Sequence, residues 1–269
     1  MFTVVCVYSN NKALNDYLLK SLEGQNTKFQ LVLIDNIEGR FKSAAQAYNY
    51  GAAEASGKYI MFVHQDVDLC SASWLSDTET ILDSIGKFGA AGVAGMSETG
   101  RKLKDRGRNI ILNHEDHSPW KFGHPIEKPE KVQTNDECLL IVPGTVFDVL
   151  KFDEDACDNW HLYVVDYCLS CKKLGYDVYV LPKSIYHRST GPWHNRSRIR
   201  ILLSLGALPE TYYRTLYKLI KKHKLDYRHI YTSNGEWNTY QPVYIQRILV
   251  LVKAGFELAI QNIREMFKK

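Results

Sequence analysis

Residues 58–68 read KYIMFVHQDVD, an apolar and aromatic run that passes directly into an imidazole, an amide and two carboxylates. Such a run, bounded by polar residues, suits a strand buried on both faces of a sheet. Its carboxyl end then presents His64, Gln65, Asp66 and Asp68 at a sheet edge. Open α/β sheets bind ligands in the crevice outside the carboxyl ends of their strands, and acids there can hold a hard cation and, through it, a phosphate. A plainer reading of the same residues is a capped strand end, with Asp66 or Asp68 starting a helix near Ala72.

Working outward, residues 3–8 read as a first strand, 14–22 as a helix, 30–34 as a second strand closed by Asp35, and 43–55 as an alanine-rich helix stopped by Gly57. This β-α-β-α-β order with short connections predicts right-handed crossovers and a parallel sheet. Tyr8, Asp35 and Asp66 then converge at adjacent strand ends. A helix over about 74–88 and a strand over 90–95 follow. Residues 97–136 are polar and rich in His, Gly and Pro, and the pattern predicts a long excursion or a mobile flap, with Arg101, Lys102, Lys104, Arg106 and Arg108 facing phosphate. Residues 138–142 resume a strand, 165–174 form a helix, and the chain turns helical from residue 197.

The length of 269 residues suits one α/β domain with an appendage. The opening MFTVVCVYSNNK reads as a strand and not as a secretion signal, and no stretch reaches the length of an apolar membrane span. The six cysteines sit mostly in apolar patterns, and Cys168 with Cys171 reads as helix core packing and not as a zinc site. This usage predicts reduced thiols and a cytoplasmic protein. Charge is uneven: residues 196–269 carry 14 Lys or Arg against 5 Asp or Glu, a balance of +9, whereas residues 1–195 balance to −5. A basic tail serves a nucleic acid, an anionic membrane surface or an acidic partner, and the balance alone does not choose.

In this order the features resemble the family 2 glycosyltransferases. The pieces that carry the resemblance are VVCVYSNN at 4–11, LVLIDN at 31–36, AYNYGAAEASGKYIMFVHQDV at 47–67, FDE at 152–154, HLYVVDYCLSCKKLGYDVYVLP at 161–182 and IYHRSTG at 185–191. They span roughly residues 1–195, and N-x-G-x-x-x-A-x-G-x-Y before the acids with D-x-x-L-x-x-x-x-x-G-Y after them is a specific combination. The HQDV wording resembles a bacterial subgroup linked to surface polysaccharide assembly. One departure stands out: relatives have two acids, D-x-D, where this chain has His64 and Asp66.

The resemblance implies an α/β fold of GT-A type: a mostly parallel, Rossmann-like sheet flanked by helices, with residues 1–195 as the nucleotide-sugar-binding and catalytic domain and 196–269 as a basic helical appendage. It implies an inverting, metal-dependent transfer from a nucleoside-diphosphate sugar, UDP first, to a glycan or lipid-linked acceptor. Mn²⁺ or Mg²⁺ would be held by Asp66 and by His187, while His64 replaces a ribose-contacting carboxylate. Asp166, at a helix start, occupies the position of the catalytic base.

The residues themselves add Tyr8 and Gln65 at the strand ends, Asp35 as an acceptor for base or ribose, Lys42 as a phosphate contact, and Asn49, a poor helix filler, as a donor-site hydrogen-bonder. Trp160, His161 and Tyr163 make a candidate acceptor wall, since aromatic faces pack on sugar C–H surfaces. A sugar-phosphate nucleotidyltransferase and a degenerate, non-catalytic scaffold in a polysaccharide complex are the rival readings. A dehydrogenase is disfavoured because YSNNKALN, at 8–15, lacks G-x-G-x-x-G.

In the tail, Ile245, Ile248, Leu249, Val252, Phe256, Ile260, Ile263 and Phe267 recur at helical spacing. They read either as a helix packed on the domain or on a second copy of the chain, or as an interfacial helix at the inner face of a membrane. Nucleic acid is not among the implied partners.

Overall fold

Among the described residues seven strands make the central sheet, in the spatial order Phe29–Asp35, Phe2–Tyr8, Tyr59–His64, Leu139–Pro143, Phe88–Gly92, Asp177–Val180 and Glu130–Lys131. A computed structural model provides this description, covering residues 1–113, 123–188, 208–249 and 252. The strands are β1 (Phe2–Tyr8), β2 (Phe29–Asp35), β3 (Tyr59–His64), β5 (Phe88–Gly92), β9 (Glu130–Lys131), β11 (Leu139–Pro143) and β12 (Asp177–Val180). β1 pairs in parallel with β2 and β3, and β5 with β12, whereas β11 lies antiparallel between β3 and β5 and β9 antiparallel on β12. Five strands therefore share one direction, which is the mostly parallel sheet expected. Residues 138–142 do form a strand, but one that enters against the others, so its beginning meets the end of β3.

Helices cover both faces. The helical stretch α1 (11–23) contains a π segment at Leu14–Leu19. α2 (Ala44–Ala52) is capped by Ser43, whose hydroxyl accepts from the Gln46 amide. It lies so close to the sheet that a Cβ at Gly51 would stand 2.8 Å from Val5 and 2.9 Å from Ile34. A Cβ at Gly57 would meet the Thr3 amide at 2.5 Å. These two contacts explain the glycines of the N-x-G…G-x-Y pattern as close-approach positions. α3 (Trp74–Ser84) and α6 (Tyr163–Lys173) complete the layers.

The described parts of the excursion at 97–136 carry pairing of their own. β6 (Gly95–Met96), β7 (Gly107–Arg108) and β10 (Thr134–Asn135) form a small sheet of their own. Arg106 is 8% exposed, donates to the carbonyls of Ser97 and Glu98, and stacks 3.8 Å over the Tyr231 ring. Arg108 is paired with Glu130 at 2.8 Å. Those two cations are internal struts, which corrects their expected phosphate-facing role; residues 114–122 lie outside the described ones.

The tail differs from a purely helical appendage. α7 (Glu210–His223) is followed by a hairpin of β14 (His229–Thr232) and β15 (Gly235–Asn238). Tyr212, Leu216, Leu219, Ile230 and Trp237 are buried in the same core cluster as Val5, Phe62 and Leu140 of the sheet. Burial of each such side chain contributes about 1.5–3 kcal/mol. Thus 210–238 packs into the same core as the sheet, and the expected boundary at 195 falls within 189–207, outside the described residues.

Candidate active site

The chain brings Asp66 and His187 together by strand pairing. After β3 ends at His64, a turn through Gln65 and Asp66 leads into β4 (Val67–Asp68), which pairs antiparallel with β13 (Tyr186–His187) so that His187 faces Val67. The Arg188 amide donates to the Asp66 carbonyl at 3.0 Å, locking this register. His187 Nε2 consequently lies 3.2 Å from Asp66 Oδ1, and the His64 ring centroid is 5.5 Å from that of His187. One ligand atom from each of His64, Asp66 and His187 falls within 4.8 Å of the others.

Electrostatics separate the two imidazoles. Burial would raise the Asp66 carboxyl, but the hydrogen bond and charge of His187, with His64 behind it, outweigh burial and hold it below the ordinary carboxylate range. His187 is the converse case: burial disfavours its charge, yet the Asp66 carboxylate raises it above an ordinary histidine. His64 is lowered, first by burial and then by His187, against the pull of Asp66 and Asp136. The directions at Asp66 and His64 favour the ionised carboxylate and neutral imidazole a divalent cation requires, whereas His187 would release its proton as such an ion binds. The His-Asp-His donor set therefore fits such an ion, with imidazoles favouring Mn²⁺ over Mg²⁺.

His64 and Asp66 border a cleft of about 220 Å³ lined also by Val7, Ser9, Tyr48, Gln65, Trp160 and Tyr163. Beside it Tyr8 and Asp35 stand opposite each other in the β1–β2 register. The Tyr8 hydroxyl is raised by burial and then by the charge and hydrogen bond of Asp35. One Asp35 oxygen also accepts from the Ile37 amide at 2.8 Å. Gln65 has a structural duty within the cleft, its Oε1 accepting from the amides of Ser9 and Asn10 at 2.9 Å each and tying the β1–α1 loop to the end of β3. Trp160 is 41% exposed and lines the opening, whereas Tyr163, also in the lining, is buried.

Several expected site residues are used elsewhere. Asn49 donates to the Phe152 carbonyl at 2.9 Å and accepts from the Phe152 amide at 3.1 Å, so its poor fit to a helix interior reflects a clamp on the segment before α6 and not a donor contact. Lys42 reaches the Gly39 carbonyl at 3.1 Å and does not line the cleft. His161 turns to Tyr212, with ring centroids 5.9 Å apart, and is also absent from the cleft wall.

Asp166 requires the largest correction. It is in the first turn of α6, as expected, but only 2% exposed, with Oδ2 2.8 Å from Lys222 Nζ and Oδ1 2.7 Å from His223 Nε2. Lys222 is shared with Asp153 at 2.7 Å. A carboxylate so enclosed by two donors from α7 fastens α7 to α6; it is not placed to take a proton from a bound acceptor.

Two acids that sequence reasoning passed over lie beside the histidines, outside the cleft wall itself. Antiparallel pairing of β11 with β3 sets Leu139 against Val63, and the His64 amide donates to the Cys138 carbonyl at 3.0 Å. Asp136 and Glu137 therefore precede β11 at the cleft end of the sheet. Asp136 influences both His64 and His187, and one of its oxygens accepts from the Cys138 amide at 3.1 Å. Glu137 is partly exposed as a residue, but its Oε1 is enclosed without a hydrogen-bond partner. Burial and then the charge of Asp136 push its carboxyl up to about 8, against the Leu162 and Tyr163 amides. The available signal was an acid pair immediately ahead of an apolar strand.

A family model described as "Glycosyltransferase like family" matches residues 3–202. No curated protein matches the chain in sequence. Among solved structures, the mannosyltransferase PcManGT from Pyrobaculum calidifontis, in complex with GDP-Man and Mn²⁺, is similar at 11% identity and a TM-score of 0.54, over 96% of this chain and 74% of that one. GalNAc-T7 with UDP, GalNAc and Mn²⁺ is similar at 12% identity and a TM-score of 0.53, over 84% of this chain and 51% of that one. These likenesses show the fold to be that of the GT-A enzymes, and the family match covers the strands, the cleft and the His-Asp-His cluster together. The chain belongs to the glycosyltransferase-like family and is a glycosyltransferase.

Proposed function

We propose that the protein transfers a sugar from a nucleoside-diphosphate donor, UDP first, to a glycan or lipid-linked acceptor in bacterial surface polysaccharide synthesis, with inversion at the anomeric carbon. The observation that carries this reading is the convergence of His64, Asp66 and His187 at the strand ends beside Tyr8 and Asp35. Asp66 and His187, with His64, would hold Mn²⁺ or Mg²⁺, and the two solved relatives named above both carry Mn²⁺. When bound, such a cation acts as a Lewis acid on the departing diphosphate. Asp35 accepts hydrogen bonds from base or ribose, with Tyr8 beside it. Trp160 offers its exposed face to the acceptor ring. Asp136 is the carboxylate we assign to take the acceptor hydroxyl's proton as that oxygen bonds to the anomeric carbon and the nucleoside diphosphate leaves. One such displacement inverts the centre.

The tail supports attachment to an anionic membrane at its inner face. Ile245, Ile248, Leu249 and Val252 are exposed at helical spacing around Arg247, and each Lys or Arg near such a surface contributes about 1 kcal/mol. A second copy of the chain is the alternative occupant. Phe256, Ile260, Ile263 and Phe267 lie outside the described residues, among which no helix is long and apolar enough to cross a membrane. The direct test is calorimetry with UDP, GDP and CDP, each with and without Mn²⁺. Binding of UDP that strengthens with Mn²⁺ is expected; no binding of any of the three with Mn²⁺ present would overturn the reading.

A further inference from the structure

We infer that Tyr163 fixes the tautomer of His64, so that His64 offers Nδ1 and not Nε2 to the cation. The Tyr163 hydroxyl oxygen lies 3.0 Å from the Glu137 carbonyl and 3.3 Å from His64 Nε2. A carbonyl oxygen only accepts, so the single hydroxyl proton of Tyr163 is committed to Glu137. Its lone pair is what faces the imidazole, and that contact is a hydrogen bond only if Nε2 carries the proton. The adjoining Tyr48 hydroxyl, in hydrogen-bond contact with that of Tyr163, sends its own proton to the Val63 carbonyl at 3.2 Å and so can only accept from Tyr163, which leaves the imidazole facing the lone pair. Neutral imidazole with hydrogen on Nε2 has its lone pair on Nδ1.

Packing makes Tyr163 able to impose this choice. Its ring is 3% exposed, stacks on Tyr48 at 5.6 Å with an interplanar angle of 28°, and meets Phe152 edge-on at 5.5 Å. It also begins α6, whose position is fixed by the Asp166 pairs. A histidine ligand whose second ring nitrogen donates to a fixed partner is held in orientation, and loss of such a partner costs about 10- to 100-fold in metal affinity. Tyr163 thus becomes a positioning residue behind the cation site, replacing its expected place in the acceptor wall. This inference rests on the cation reading given above.

The test compares the parent with Tyr163→Phe, which keeps the ring contacts and removes only the hydroxyl. Nitrogen NMR of histidine-labelled, metal-free protein at neutral pH, with His64 assigned through His64→Gln, is expected to find His64 protonated on Nε2 in the parent and mixed in Tyr163→Phe. Titration with Mn²⁺ alone, followed by electron paramagnetic resonance, is expected to show about 10- to 100-fold weaker binding in Tyr163→Phe. A parent His64 protonated on Nδ1, or a variant binding Mn²⁺ within twofold of the parent, would overturn the inference. A parent that binds no Mn²⁺ would refute the cation reading instead, and the tautomer measurement would still decide the role of Tyr163.

Discussion

Two aspartate-histidine pairs stand among the described residues, and their surroundings give them opposite fates. Asp166 and His223 are 2.7 Å apart with side chains 3% and 1% exposed, and Lys222 adds a second donor to the same carboxylate. Asp66 and His187 are 3.2 Å apart and 20% and 15% exposed, with another imidazole and an open cleft beside them. The first pair holds α7 against α6 inside the core. The second converges donor atoms on space where a ligand fits. Residue type is the same in both, so function follows from which partners complete the carboxylate and whether room is left beside it.

The sharpest way to break this contrast is to exchange the expected roles of the acids. Asp136→Asn is expected to lower turnover by about 10²- to 10⁴-fold while Mn²⁺-dependent nucleotide binding persists, since an amide cannot accept the proton. Turnover of a sugar-nucleotide donor, measured beside calorimetric binding, checks this; full turnover in Asp136→Asn would return the base to another residue. Next in size, Asp166→Asn is expected to destabilise the fold by about 3–5 kcal/mol, because it strands Lys222 and the buried His223 without their carboxylate. Chemical denaturation reads this directly. A stability within 1 kcal/mol of the parent, with turnover lost, would mean that the buried pair is catalytic after all.

The smallest effect is a pH dependence at the acid that adjoins the cleft. The Glu137 carboxyl, pushed up to about 8 from an ordinary 4.5, keeps its proton in the folded protein over a window in which the unfolded chain has lost it. The folded state then binds more protons, so stability falls as pH rises from 4.5 towards 8. Glu137→Gln removes that slope. Between pH 5 and pH 8 the parent is expected to lose more stability than the variant, with the full shift setting a ceiling of roughly 3–4 kcal/mol. Parallel stability curves would show that Glu137 is ionised in the fold.

Much of the first half of the fold was legible because it is local. Each parallel strand and crossover helix is written in a continuous apolar pattern, and the strand ends carrying Tyr8, Asp35 and Asp66 follow from it. His187 was reachable through the IYHRSTG match. What stayed hidden depends on pairings between distant segments. Antiparallel entry of β11 brings Asp136 to His64 and His187, and nothing within 136–143 reports direction. Asn49 and Asp166 were misassigned for the same reason, their partners lying about a hundred and about fifty-seven residues away at Phe152 and His223. The tail's packing was hidden too, since the stripe of α7 reads alike whether its partner is this sheet, a lipid surface or a second chain.

The central claim, that the open pair binds a cation and the closed pair does not, is tested most directly by titrating Mn²⁺ into the parent, Asp66→Asn and Asp166→Asn under conditions where all three are folded. A direct ligand matters at least as much as the groups that orient it, so Asp66→Asn is expected to bind on the order of 100-fold more weakly than the parent or worse, and Asp166→Asn as the parent does. Undiminished Mn²⁺ binding in Asp66→Asn, or its loss in folded Asp166→Asn, would contradict the account.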